Sequence, residues 1–277
     1  MALYVTHAGI ARRDGDDLVV LDLPHPHLGA LLDDADGLAR IASAPTRTRL
    51  PASAPLLPPF PNPGKIWVAG LNYAGHAAEA GATERPKRPL VYLCPGSAAI
   101  GPGDHIQLPD VAPGAVDYEG EVAVVIGRRA TRVDASNAWD HVAGVTACND
   151  VTARDVQGWA LKGGGVDIAL SKSFDTFKPL GPGLITTGEL GDRDDIAVRT
   201  IVNGAVRQED RTSNLIFGVG ELIEYISRFT TLDPGDVIST GSPAGVGFVS
   251  GSYLRPDDVI QVEVGSGLGR LTNRVTA

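Results

Sequence analysis

The chain is poor in cysteine, has no block of basic residues and has no long apolar run. Two cysteines in 277 residues, Cys94 and Cys148, cannot build a disulfide framework or a cysteine metal cage, which fits a reducing, cytoplasmic setting. The 33 acidic residues outnumber the 24 basic ones, for a formal charge of -9. That balance disfavours nucleic acid and anionic membranes as partners, since both are met by basic patches, and any anionic substrate must be met by a few local cations. Each apolar run is broken by Gly, Pro or a charge before the roughly 20 residues needed to span a bilayer. The opening Met1-Ala2-Leu3-Tyr4-Val5 lacks a charged leader followed by an apolar core, so secretion is not expected. No repeat of roughly 20 to 50 residues occurs, which excludes a solenoid.

What is abundant is turn chemistry. With 34 Gly, 20 Pro, 43% hydrophobic and 21% charged residues, the chain reads as a β-rich globular protein rather than a helical bundle or a disordered segment. Residues 1 to 50 alternate short apolar runs with acidic turns, and Leu28 to Ile41 has helical spacing with Asp33, Asp34 and Asp36 towards solvent. Six prolines between Pro51 and Pro63 exclude a helix or a central strand and predict an extended connector. The predicted division is therefore a small leading subdomain with its connector over 1–60 and a main domain over 61–277.

Beyond the connector, strands are predicted at Lys65 to Ala69, Leu90 to Leu93, Glu121 to Ile126, Val142 to Ala147, Asp236 to Thr240 and Val259 to Val264. Asn203-Gly204 tolerates positive φ at both turn positions and predicts a hairpin between Val198 to Val202 and Ala205 to Gln208. Ile216 to Phe229 carries apolar residues at helical intervals, Val151 to Leu161 reads as a second helix, and Tyr73 to Ala80 as a short third.

Asp117-Tyr118-Glu119-Gly120-Glu121 stands where a buried strand begins. Side chains alternate along a strand, so Glu119 and Glu121 project to one side, roughly 6.6 Å apart. Acids crowded beside a buried sheet need a cation, and hard oxygen ligands suit magnesium, calcium or manganese rather than zinc. The same run also suits a solvated edge strand. Asp150 follows the next apolar run, a good position for a ligand, but taken alone it reads first as a helix start, with Asn149 or Asp150 as the cap or Thr152 and Asp155 as a capping box. His76 and Glu79, three apart on a short helix, share a face, as a surface contact or as a working pair.

Taken in order, Gly70-Leu71-Asn72-Tyr73-Ala74-Gly75-His76, Asp117 to Glu121, and Asn149-Asp150-Val151-Thr152-Ala153-Arg154-Asp155 resemble the fumarylacetoacetate hydrolase family. Ser171 to Phe177, Gly181-Pro182, Val202-Asn203-Gly204 and Thr240-Gly241-Ser242-Pro243-Ala244-Gly245-Val246-Gly247 continue the match, which runs from about Lys65 to the C-terminus. The resemblance implies an α+β, β-rich fold, a mixed β-sandwich roll behind a small N-terminal subdomain, and a homodimer. It makes Glu119, Glu121 and Asp150 the ligands of Mg2+, or of Mn2+ or Ca2+, and leaves room in an octahedral shell for substrate and water. It makes His76 and Glu79 a dyad in a lid, in which Glu79 orients the ring and His76 takes a proton from water. Imidazole ordinarily titrates near neutrality and suits that task.

The resemblance also places Arg154, Gln157 and Lys172 against a substrate's carboxylate or oxo groups, Lys172 among the catalytic residues. The bland alternatives are a solvated lysine and, for Arg154, a structural ion pair. The glycine-rich Thr240 to Gly247 turn can present N–H groups and the Thr240 hydroxyl to a substrate carboxylate, or be only a tight connection. One departure bears on specificity: many family members read Lys-Pro where this chain has Cys94-Pro95, so a cation often found near the substrate is missing. Cys94 itself reads as a plain buried thiol. Lys162-Gly163-Gly164-Gly165 reads as a movable substrate loop. Gly265-Ser266-Gly267-Leu268-Gly269 lacks a following helix and does not mark a dinucleotide site.

The implied activity is metal-dependent hydrolysis of a carbon-carbon bond in a 2,4-dioxo acid such as an acylpyruvate or fumarylpyruvate. Oxaloacetate decarboxylation and 2-oxo acid tautomerisation or isomerisation are the alternatives at the same site. A silent binding protein is the rival from another class, and the complete set of acids together with the His/Glu pair argues against it. The partner in each enzymatic reading is a small anionic oxo acid.

Overall fold

Antiparallel pairing of apolar runs organises the chain around one large sheet. The computed structural model describes residues 1–163 and 167–277, so Gly164 and Gly165 of the anticipated substrate loop lie outside the described residues. The sheet has eleven strands. Their order is Thr46–Pro51, Asp17–Leu21, Gly9–Asp14, Ala2–Thr6, Lys178–Thr186, Val142–Asn149, Gly120–Ile126, Val237–Ser239, Ile66–Gly70 and Leu90–Cys94, with Ala99–Ile100 alongside Lys178–Thr186. A second, five-stranded sheet orders Ala205–Arg211, Ala197–Val202, Val259–Val264, Arg270–Thr276 and His105–Gln107. Parallel and antiparallel pairs are mixed, and the helices are few and short, which is the β-rich α+β fold expected.

The two sheets pack on each other through Gly120–Ile126 and Val142–Asn149 on one side and Ala197–Val202 and Val259–Val264 on the other. Gly120–Ile126 and Val142–Asn149 are buried at every residue, which is why their sequences are continuous apolar runs. Val259–Val264 instead alternates buried and partly exposed positions, with Ile260, Val262 and Val264 turned inwards. The leading strands extend the large sheet, as Leu3 pairs with Leu184. Among the described residues no helix is long and apolar enough to cross a membrane.

The hairpin at Asn203-Gly204 forms as the dipeptide demands, with φ of 50° and 80° and Val202 opposite Ala205. Three helices differ from their sequence-based extents. The anticipated Leu28 to Ile41 helix is two, Leu28–Asp33 and Gly37–Ser43, because Asp34 leaves helical geometry and Asp36 starts the second. The Ile216 helix begins only at Val219, since Ile216 N donates to Asn72 O at 2.6 Å and Phe217 N to Asn72 Oδ1 at 2.9 Å. The helix after Asp150 begins at Arg154, because Thr152 and Ala153 first pair with Asp117 and Val116.

Strands pack closely at Gly144, where an added Cβ would lie 2.0 Å from Ile185 O. Gly144→Ala is expected to lower unfolding stability by at least about 2 kcal/mol, because backbone has to move to admit the methyl group. Gly188→Ala, with nothing within 4 Å of the added atom, is the control and should change little. Urea midpoints for the two variants check this; equal midpoints would contradict it.

Candidate active site

Register brings the acids together. Gly120–Ile126 and Val142–Asn149 run antiparallel with Gly120 opposite Asn149 and Glu121 opposite Cys148, so the start of one strand meets the end of the other. Asp150 N donates to Glu119 O at 2.7 Å and Glu119 N to Asn149 Oδ1 at 3.0 Å, which locks the two strand ends. Glu119, Glu121 and Asp150 consequently offer oxygens that all lie within 4.8 Å of one another, each residue buried. Asp150 is not a cap: the helix that follows is capped by Ala153.

Charge is distributed unevenly over this centre. Burial would raise Glu119, yet the Lys172 and Arg154 charges outweigh it and hold the carboxyl well below the usual range. Lys172 Nζ donates to Glu119 Oε2 at 2.7 Å, to Thr152 Oγ1 at 2.8 Å and to Asp150 Oδ2. Arg154 Nη2 lies 2.6 Å from Glu119 Oε1 and 2.8 Å from Asp117 Oδ2, and Nη1 donates to Gln157 Oε1 at 3.1 Å. Glu121 has neutral partners only, accepting at Oε2 from Ser239 Oγ at 2.6 Å and Gly241 N at 2.7 Å. Burial, then the neighbouring Asp150 and Glu119, push Glu121 well above the carboxylate range.

A hard divalent cation fits this donor set. The three residues supply only oxygen, and the repulsion felt by Glu121 is what a positive ion would relieve. Asp150 Oδ1 adds a buried acceptor without a hydrogen bond, since Lys178 Nζ, 2.9 Å away, is outside hydrogen-bonding geometry.

The dyad forms beside the centre. Tyr73 opens the Ala74–Glu79 helix, where His76 Nδ1 and Glu79 Oε1 are 2.8 Å apart. Gly245 N reaches Glu79 Oε1 and Oε2 at 3.1 and 3.0 Å, and His76 acts on Glu119 electrostatically. Asn72 fixes the start of this segment, its Nδ2 donating to Thr240 O at 2.8 Å and to Phe217 O at 3.0 Å.

The glycine-rich turn does present N–H groups to carboxylates, but they are the protein's own. Gly241 N serves Glu121, Gly245 N serves Glu79, and Gly247 N and Phe248 N serve Asp117 at 2.7 and 2.8 Å. Gly245 holds φ of 104°, and an added Cβ would meet Arg207 O at 2.0 Å. The Thr240 hydroxyl donates to Val122 O at 2.9 Å and is fully buried. Asp117 received no role from sequence; its geometry shows a brace between Arg154 and this turn. Lys178 was missed too, because one lysine at the head of an apolar strand reads as an exposed end, whereas it is 0% exposed.

Burial and the neighbouring acids push Glu121 above the ordinary carboxylate range, so an ion entering the centre competes with its protonation. Mn2+ is therefore expected to bind more tightly at about pH 8 than at about pH 6, with proton release, when titrated calorimetrically in buffers of different ionisation enthalpy. Binding without proton release and without pH dependence would contradict this.

The family model described as fumarylacetoacetate (FAA) hydrolase C-terminal matches residues 65–276. The mitochondrial oxaloacetate tautomerase FAHD2A of Bos taurus is 36% identical over 279 residues, a match that covers 97% of this chain and 87% of that protein. Among solved structures, 5-carboxymethyl-2-hydroxymuconate delta-isomerase from Mycobacterium smegmatis superposes with a TM-score of 0.78 at 38% identity, covering 100% of this chain and 98% of the other. Fumarylacetoacetate hydrolase from the psychrophile Exiguobacterium antarcticum gives 0.83 at 32% identity, with 100% and 99% covered. Since the matched region takes in every strand and loop that carries the acidic centre, the chain belongs to the fumarylacetoacetate hydrolase family.

Proposed function

We propose that this protein is a divalent-metal-dependent enzyme that moves a proton at the carbon beside the oxo group of a small oxo acid, a tautomerase or isomerase. The observation that carries the reading is the dyad. With Glu79 ionised, the 2.8 Å contact puts the ring proton on His76 Nδ1 and leaves the lone pair on Nε2, which makes no hydrogen bond within the described protein. Gly245 N holds Glu79 by both oxygens, so the ring orientation is fixed before substrate arrives.

Glu119, Glu121 and Asp150 are the residues that would hold the ion, which when bound supplies electrophilic polarisation of the substrate's oxo group. His76 Nε2 takes the proton from the carbon beside that group and returns it to the oxo oxygen, so the keto form becomes the enol without redox change. Arg154 and Lys172 give the site the positive charge that an acid's carboxylate requires, and Gln157 steadies the Arg154 guanidinium. The likeness to a protein named oxaloacetate tautomerase and to a muconate isomerase supports proton transfer as the chemistry.

Cleavage of a 2,4-dioxo acid, first on sequence alone, is the second reading. The likeness to a fumarylacetoacetate hydrolase favours it, and it asks the same Nε2 to take its proton from water. Decarboxylation of oxaloacetate is separated from both by release of carbon dioxide.

Purified protein with Mg2+ is expected to speed loss of enol absorbance from oxaloacetate, and chelation should abolish the effect. His76→Ala should lower kcat by about 100-fold or more, as loss of a positioned acid-base does. A wild-type rate equal to that of Mg2+ alone, or full activity in His76→Ala, would sink the proton-transfer reading. Acylpyruvate cleavage in place of enol loss would install the hydrolase in its stead.

A further inference from the structure

Lys178 is fully buried at the head of the Lys178–Thr186 strand, and the dyad chemistry makes no use of it. Its Nζ lies 2.9 Å from Asp150 Oδ1, donates to Phe177 O at 3.2 Å and donates to Lys172 O. The residue pairs with Ala99 of the strand that follows Cys94-Pro95, and the Cys94 thiol and the Lys178 ammonium act on each other electrostatically. Cys94 is itself buried in the small apolar cluster that includes Cys148 and Leu180. The strand that follows Cys94-Pro95 thus brings this part of the chain to the strand that Lys178 opens. A buried lysine costs stability unless a partner offsets it, and a methionine here would pack without that cost.

We propose that Lys178 is a positioning residue of the carboxylate centre, supplying from beneath Asp150 the positive charge that the sequence lacks at Cys94 and so letting the ion-loaded centre accept an anionic oxo acid. The proposal rests on reading the centre as a metal and oxo-acid site.

Charge counting gives the reason. With an ion bound in place of any proton on Glu121, the side chains Asp117, Glu119, Glu121 and Asp150 carry four negative charges against three positive ones on Arg154, Lys172 and Lys178, one net negative charge. A divalent ion converts that to one net positive charge, which attracts an anion. Without Lys178 the loaded centre is neutral, and the pull on a carboxylate or on a developing enolate is lost. Lys172 cannot take over, because Glu119, Asp150 and Thr152 already occupy its three donors. Lys178 likewise has its ammonium surrounded by Asp150 and two carbonyl oxygens, so it acts through Asp150 and through its field rather than by touching substrate.

The test separates ion from anion. Mn2+ affinity is measured first, then oxalate affinity of the Mn2+-loaded protein, for the wild type, for Lys178→Met, and for Cys94→Lys combined with Lys178→Cys. Lys178→Met is expected to hold Mn2+ within about threefold of the wild type or more tightly, while oxalate weakens by at least about thirtyfold. The paired exchange, which moves the ammonium to the end of the Leu90–Cys94 strand, is expected to recover oxalate affinity to within about fivefold. Unchanged oxalate affinity in Lys178→Met overturns the proposal. Equal loss of Mn2+ and oxalate overturns it as well, since Lys178 would then merely prop Asp150. If Lys178→Met does not fold, the paired exchange decides alone, and an exchanged protein that fails to fold or fails to bind oxalate counts against the proposal. A wild-type protein that binds no Mn2+ removes the metal reading itself, a result none of the other outcomes imitates.

Discussion

Three carboxylates buried within hydrogen-bonding reach of the same small space repel one another, and much of the surrounding structure serves to hold them there. Glu119 is balanced by Lys172 and Arg154, Asp150 by Lys172 and Lys178, while Glu121 has only a serine hydroxyl and a backbone N–H. That asymmetry leaves Glu121 as the group whose charge is least supported by the protein, and it is the reason the centre suits a cation. The antiparallel register of two fully buried strands fixes the meeting point, since a shift by one residue would turn Glu121 to the other face of the sheet.

The turn from Thr240 to Gly247 joins parts that the sequence separates widely. Its N–H groups reach Glu121 in the centre, Glu79 in the dyad and Asp117 behind Arg154. Neutral donors steady these carboxylates without consuming a cation, so the charged side chains remain for the centre. Asn72 ties the same turn to the start of the helix bearing His76, and a shift in the turn would reach both the His76–Glu79 pair and the buried carboxylates. Preorganisation of this kind suits proton transfer, in which small errors of position are costly.

Much of this was legible in the residues. The hairpin at Asn203-Gly204 and the buried strands at Glu121 and Val142 follow from turn chemistry and continuous apolar runs, and the pairing of Glu119 with Glu121 from strand alternation, whereas Asp150 joined them only through the family resemblance. Helix starts at Val219 and Arg154 were not, because a side-chain amide from Asn72 and a two-residue pairing with Val116 and Asp117 override local periodicity. The partners of the glycine-rich turn were hidden as well, since N–H groups carry no sequence signature of what they bind. The place of Lys178 was hidden too, since its contact with Asp150 joins two residues far apart in sequence and no local pattern encodes it.

The most direct measurement is anomalous diffraction from crystals grown with Mn2+. A single strong peak bounded by Glu119, Glu121 and Asp150 is the result this account requires. A fully occupied ion elsewhere, with these three carboxylates still held only by Lys172, Lys178 and Arg154, would contradict it.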